Sequence, residues 1–179
     1  MTSAGLPDKN SVLAGGGQAD ARIGGTMKLA RLFGILSLLL LGIPSLHAAC
    51  TNATLAGTFG FTITGVLILP AGAVPVSSVG LITFDLNGNA SGSQDRSLGG
   101  AFAHETLSGI FTINSNCTVN LISNVYDSNG TLVRTSTIDG VLLNNGKQIR
   151  AIFESVTLPN GTGLPSVLTV EGNRVQGHQ

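Results

Sequence analysis

Apolar and polar residues alternate one for one along most of the chain, and this alternation limits the fold more than any other feature. Phe59, Phe61 and Ile63 share one parity, while Thr58, Gly60, Thr62 and Thr64 hold the other. The pattern returns at Ile82, Phe84 and Leu86, at Val119, Leu121 and Val125, and at Ile149, Ala151 and Phe153. A period of two with Thr-rich outer positions is that of a half-buried antiparallel sheet. Asn-Gly punctuates the alternation at 87-88, 129-130, 145-146 and 160-161. It is the strongest short hairpin signal, because a type I′ turn needs φ > 0 at both central residues.

Counting between turns predicts strands over 57–69, 77–86, 90–96, 100–107, 109–115, 117–127, 131–143 and 147–157, with a ninth candidate at 166–174. Gly99-Gly100 marks either a bulge or a break, and no segment of 50–179 has a helical period. The expected class is all-β: an antiparallel up-and-down barrel of about eight strands, because closure removes the edges that would otherwise aggregate. A two-sheet β-sandwich is the alternative.

A signal-peptide helix is expected before the barrel. MKLARLFGILSLLLLGIPSLHAAC, from Met27, has basic Lys28 and Arg31, an apolar run from Leu32 to Ile43, a break at Pro44, and small residues at Ala48 and Ala49. That is the order of a secretory signal, and the run is too short for the ~20 residues of a membrane span. The protein is therefore expected to be secreted or periplasmic, meeting a membrane only through this signal. His47 stands where a lipidated cysteine at Cys50 would require Leu, so export without a lipid anchor is the reading. Residues 1–26, rich in Gly, Ala and polar residues, read as disordered or as upstream of a true start at Met27. The assignment is thus 27–49 signal, 50–175 one barrel domain of ordinary size, and 176–179 a polar tail.

Past the signal, Arg96, Arg134, Lys147, Arg150 and Arg174 face Asp85, Asp95, Glu105, Asp127, Asp139, Glu154 and Glu171. A weakly acidic balance without a basic cluster excludes nucleic acid as a partner, and no basic amphipathic stretch suits a membrane surface. Self-association is left open. Cys50 and Cys117 are an even pair in the exported part and are expected to form a disulfide. Closing that loop stabilises by about 4 kcal/mol in the chain-entropy model.

Asp85, Asn87, Asn89 and Ser91 place oxygens at every second position, as a calcium loop does. An EF-hand-type loop also needs Gly at position 6 and Glu at 12, where this chain has Ala90 and Arg96. Asp127-Ser128-Asn129-Gly130 repeats the pattern between two strand-like segments, so both stretches are expected to be hairpins. Neither a metal nor a cofactor is expected.

Mechanistic motifs (G-x-S-x-G, H-E-x-x-H, C-x-x-C, a P-loop, G-x-G-x-x-G) are absent. Two histidines past the signal, His104 and His178, are too few for a His-based triad or zinc site. His104, Glu105, Tyr126, Arg134, Arg150 and Glu154 are the polar residues that could carry chemistry. Arg150 and Glu154 are solvated outer charges if Ile149 and Phe153 face inward, and form a buried pair if the parity is reversed. His104-Glu105, beside the Gly99-Gly100 break, is the other catalytic candidate. Phe59, Phe61, Phe84, Phe111 and Phe153 are expected to line the lumen.

GLITFDLNGNASG (80–92) followed by LSGIFTINSNCTVNL (107–121) resembles small secreted bacterial proteins with an allene oxide cyclase-like, calycin-type barrel. Their "TFDG-x-G" hairpin precedes a "TG-x-Y-x-V-x-x-x-CTG" hairpin, and GTFGFTITG (57–65) resembles their first strand. Here Phe111 replaces the usual Tyr, and Val119, not Gly, follows Thr118. The resemblance implies a barrel whose cavity can be apolar; in plants this fold cyclises an unstable fatty-acid epoxide. It carries no active-site residue onto this chain.

Three functions follow. The first is a non-catalytic exported barrel that holds a small apolar molecule in its lumen or serves a structural role. The second is a cyclase or isomerase by fold analogy, a weak argument. The third is a surface interaction module. A cavity of about 300 Å³ or more with a polar group at its base favours the first two, and a solid core favours the third.

Overall fold

The alternation closes on itself. The computed structural model describes residues 49–175, and in it one helical turn, α1 (Asn52–Leu55), is followed by eight strands. They are β1 (Gly57–Leu69), β2 (Gly72–Phe84), β3 (Asn89–Leu98), β4 (Ala101–Ile113), β5 (Thr118–Tyr126), β6 (Leu132–Leu143), β7 (Gln148–Thr157) and β8 (Ser166–Arg174). Each strand pairs antiparallel with its sequence neighbours and β8 returns to β1, so the sheet is a closed up-and-down barrel and not a sandwich. Residues 1–48 and 176–179, which hold the expected signal, the segment before it and the tail, lie outside the described residues.

Three strand boundaries differ from the expectation. Segments 100–107 and 109–115 are one strand, β4, running through Ser108, so the ninth candidate at 166–174 is the eighth and closing strand. Gly99-Gly100, both at positive φ, make the two-residue turn between β3 and β4. β2 begins at Gly72, not at 77, and contains Pro75. The Pro75 carbonyl accepts from Gly99 N–H just past the last β2–β3 pair, Val76 with Leu98, so proline's missing donor falls where the ladder has ended.

The turns depart from the type I′ rule at three of the four Asn-Gly sites. Asn145 and Gly146 both have positive φ, whereas at 87-88, 129-130 and 160-161 only the glycine does. In the loop from Asp127 to Thr131, Gly130 N–H donates to the Asp127 carbonyl and Asp127 N–H to that of Thr131. The Asp127 carboxylate accepts from the N–H groups of Asn129 and Thr131, both at 2.9 Å. Asp85 does the same for Asn87 and Asn89 at 2.8 Å, and its second oxygen takes the Asn89 amide. These bonds, led by that with the Asn89 side chain, hold the Asp85 carboxyl below its usual range. Residues 85–88 form a turn into β3 whose aspartate is occupied by the turn itself. It also carries Leu86 outside the strand, where it is exposed and not inward as its parity suggested.

Inward positions form one core in which Phe59, Phe84 and Phe111 stack edge to face, with centroids 5.7 and 5.1 Å apart. Phe61 is buried with them, Phe153 is half-buried against the same core, and the remaining phenylalanine of the described residues, Phe102, points outward at 71% exposure. α1 closes one end. Leu55 is fully buried beneath it, Asn52 donates to the Leu86 carbonyl, and the Cys50–Cys117 disulfide ties the preceding residues to the β4–β5 turn. Arg174, at the end of β8, donates to the carbonyls of Ala56, Thr54 and Gly146 and lies over the Phe59 ring at 4.8 Å.

Gly130 and Gly146 separate turn strain from packing. Both need positive φ, but a Cβ on Gly130 meets nothing, whereas one on Gly146 falls 2.2 Å from the Thr54 carbonyl oxygen. Gly130→Val is expected to cost about 1 kcal/mol or more, and Gly146→Val clearly more, because α1 must also move. Urea unfolding of the two variants checks this; equal losses would show that α1 does not seat against the 144–147 turn.

Candidate functional site

Carrying the inward parity through β3, β4 and β6 places a belt of polar side chains inside the apolar barrel. The buried polar residues among those described are Ser78, Gln94, Glu105, Ser123 and Ser136, and Glu105 is only 2% exposed. A carboxylate removed from water must find partners in the wall, and Glu105 finds four hydrogen bonds. Arg134 binds it end-on through both terminal nitrogens at 2.8 and 2.7 Å, Arg96 Nε donates at 2.9 Å, and Gln94 Nε2 at 2.7 Å. Each carboxylate oxygen receives two of these bonds, which fills the lone-pair directions of an ionised carboxyl. Burial alone would raise the Glu105 pKa. The hydrogen bonds and charge of Arg134, aided by Gln94 and Arg96, more than reverse this and bring it down to about 2.

The belt separates two apolar chambers. One, of about 80 Å³, lies between the belt and α1 and is walled by Leu55, Phe59, Phe61, Phe84, Leu121 and Ile149, with Gln94, Ser123, Arg134 and Ser136 on its polar side. The other, of about 190 Å³, lies toward the opposite end, walled by Leu67, Val76, Leu98, Val156, Leu164 and Leu168, with Ser78, Arg96 and Arg134 at the belt. Ile63, Arg134 and Phe153 border both. Even together the chambers fall short of the roughly 300 Å³ at which pockets for drug-sized ligands begin. Two fully buried belt atoms have no hydrogen-bond partner, Gln94 Oε1 and Ser136 Oγ.

The candidates from the sequence fall on both sides of the wall. Glu105 is the centre of the belt, while its neighbour His104 is outside, bonded to Asp95 at 2.8 Å. Arg150 is exposed and pairs with Glu171 on β8. Glu154 is the extra residue of a bulge, since Ile138 pairs with Phe153 and Thr137 with Ser155, and it too is exposed. Arg150 and Glu154 are therefore not a buried pair. Gln94, Arg96, Ser78, Ser123 and Ser136 were missed, although their parity with Phe84, Leu98, Leu121 and Ile138 was available. Among the described residues no group of three or more His, Cys, Asp or Glu could hold a metal.

No family model matches the chain, and no curated protein matches it. Among solved structures it is similar to the S-type phycobiliprotein lyase CPES from Guillardia theta, with a TM-score of 0.42 and 10% identity over 71% of this chain and 92% of that one. A likeness of this degree carries no functional argument; the barrel assignment rests on the closed ladder.

Glu105 should leave a signature in acid. Its folded pKa lies below the ordinary glutamate value of 4.5, so its contribution is complete above about pH 4.5 and disappears as pH falls through about 2. The urea midpoint should drop across that window in the native protein and flatten there in Glu105→Gln. Arg134→Met, which strands a buried carboxylate, should cost about 3–5 kcal/mol at pH 7; a loss below 1 kcal/mol would mean that Glu105 is solvated.

The phenylalanines provide a second measurement. Phe59→Ala, in the filled core, should cost about 3–5 kcal/mol. Phe153→Ala, half-buried beside both chambers, should cost visibly less, and an equal loss in chemical denaturation would show that the chambers are filled.

Proposed function

We propose that this is an exported barrel that holds a small, mostly apolar molecule in its lumen and performs no chemistry on it. The carrying observation is that the lumen is unfilled on both sides of the belt, with chambers of about 80 and 190 Å³ behind apolar walls, below the size of a drug-sized pocket but, for the larger, above the ~150 Å³ of an apolar cavity that accepts benzene. Protein interiors otherwise pack nearly without voids. Binding without catalysis is favoured by the state of Glu105. A general acid or base works best with a pKa near the working pH and a free lone pair or proton, whereas this carboxyl sits at about 2 with both oxygens occupied.

Export is supported by the order of residues from Met27 to Cys50 and by the Cys50–Cys117 bond, a linkage that persists in oxidising compartments. The hairpins at 80–92 and 107–121, here β2–β3 and β4–β5, support a place among the allene oxide cyclase-like barrels.

Native mass spectrometry of the protein from its own host tests binding and export together. The expected species starts near Ala49 or Cys50, lacks two hydrogens for the disulfide, and carries a small organic adduct that denaturation releases. A bare chain whose melting temperature also stays unmoved by saturating small apolar molecules would overturn lumen binding, because a ligand of the native state alone must stabilise it. An intact Met1, or two free thiols, would overturn export.

A further inference from the structure

The belt also specifies what the bound molecule must offer. Gln94 Oε1 can only accept a hydrogen bond, and Ser136 Oγ can accept and donate. Both belong to side chains that are 3% and 2% exposed, both residues line the chamber beside α1, and neither atom has a partner. An unpaired acceptor buried in an apolar wall is costly, and a ligand's N–H or O–H would relieve it.

Charge narrows the choice. An anionic head would bring acceptors against the Gln94 and Ser136 oxygens and beside the Glu105 carboxylate, whose attraction already occupies Arg134 through two bonds and Arg96 through Nε. A cationic head would meet two guanidinium groups balanced by one carboxylate. A neutral donor suffers neither repulsion. The chamber, at about 80 Å³, is roughly half the ~150 Å³ of a cavity that accepts benzene, so the apolar body must be a few carbons in size.

We propose that Gln94 and Ser136 form the polar anchor of a site for a small neutral molecule bearing one hydrogen-bond donor, of the class of short alcohols, with its apolar body among Phe59, Phe61 and Phe84. This rests on the lumen-binding reading, and the test keeps the two apart. The probes are 1-butanol, its isomer methyl n-propyl ether, which lacks the donor, butyrate and butylammonium. Each is titrated into the disulfide-bonded protein and followed by NMR shifts of the lumen methyl groups of Leu121, Val125 and Ile149.

Butanol should bind at least about tenfold more tightly than the ether, with butyrate and butylammonium weaker than butanol. Ser136→Ala, which removes an oxygen with no partner in the fold, should reduce the advantage of butanol over the ether several-fold, and Gln94→Met should do the same. Equal binding of butanol and ether would overturn the donor anchor and leave lumen binding standing. Tightest binding by butyrate would overturn it in favour of the guanidinium groups. An unchanged butanol preference in both variants would mean that the two atoms are served by water only, which also overturns it. Failure of every probe to bind would remove the lumen-binding reading as well.

Discussion

The two parallel hydrogen bonds between Arg134 and Glu105 determine how the interior is organised. A carboxylate this deeply buried is tolerable only when the wall satisfies it, and the curvature of the closed barrel brings inward side chains of β3, β4 and β6 together. Glu105 on β4 reaches Arg134 on β6, two strands away, while Arg96 and Gln94 approach from β3. The belt thus ties three strands from the inside: Gln94 lies directly across the ladder from Glu105, and Arg134 reaches past β5 to the same carboxylate. The same bonds that make it stable remove Glu105 from acid–base work and divide the interior into two chambers. The stability of the belt and the low pKa of Glu105 have one cause.

The α1 end is locked by both termini of the fold. The Cys50–Cys117 disulfide closes a loop with a sequence separation of 67, and Arg174 holds three carbonyls from α1 and the 144–147 turn. Cys117 occupies the place in its turn that Gly130 takes in the 127–131 loop. Its N–H donates to the Asn114 carbonyl, and its φ is 68°. A side chain in that region is strained, and the disulfide gives this turn a reason to carry one. The opposite end has only the connections after β1, β3, β5 and β7, the last of them the longest, at 158–165. Under the proposed reading, ligand access belongs to that end.

How much of this was legible in the sequence depends on how far parity was followed. Phe59, Phe61, Phe84 and Phe111 announced their side by alternating with Thr, Ser and Gly, because burying one face of a sheet fixes its register. The type I′ rule failed at Asp85 and Asp127 for a local reason: the aspartate accepts its own turn's N–H groups, and the first central residues need no positive φ. The belt was obscured because β4 was divided at Ser108. Read unbroken, Glu105 shares the parity of Leu107 and Phe111 and must face inward. Carrying Phe84 across its turn onto its partner Ala90 likewise turns Gln94 and Arg96 inward. Polar residues at inward positions read as exposed until a partner is found; Gln94 and Arg96 are on the neighbouring strand of the hairpin, but Arg134 lies 29 residues from Glu105. The bulge at Glu154 has no such signal, since nothing in Phe153-Glu154-Ser155-Val156 marks a shift of register.

That bulge matters for how a molecule would reach the inner chamber. It lets Phe153 and Val156, three residues apart, both turn toward the lumen, with Glu154 and Ser155 left in solvent. Phe153 thereby borders both chambers, together with Ile63 and Arg134. Arg134 is held by two bonds to a buried carboxylate, and Ile63 is buried in the regular part of β1. Moving either one sacrifices charge pairing or core packing. Phe153 is only half-buried, and its backbone lies where the ladder is already irregular. A ring there can change rotamer at the least cost of the three, so under the proposed reading passage between the chambers would fall to Phe153. The affinity remains with the belt.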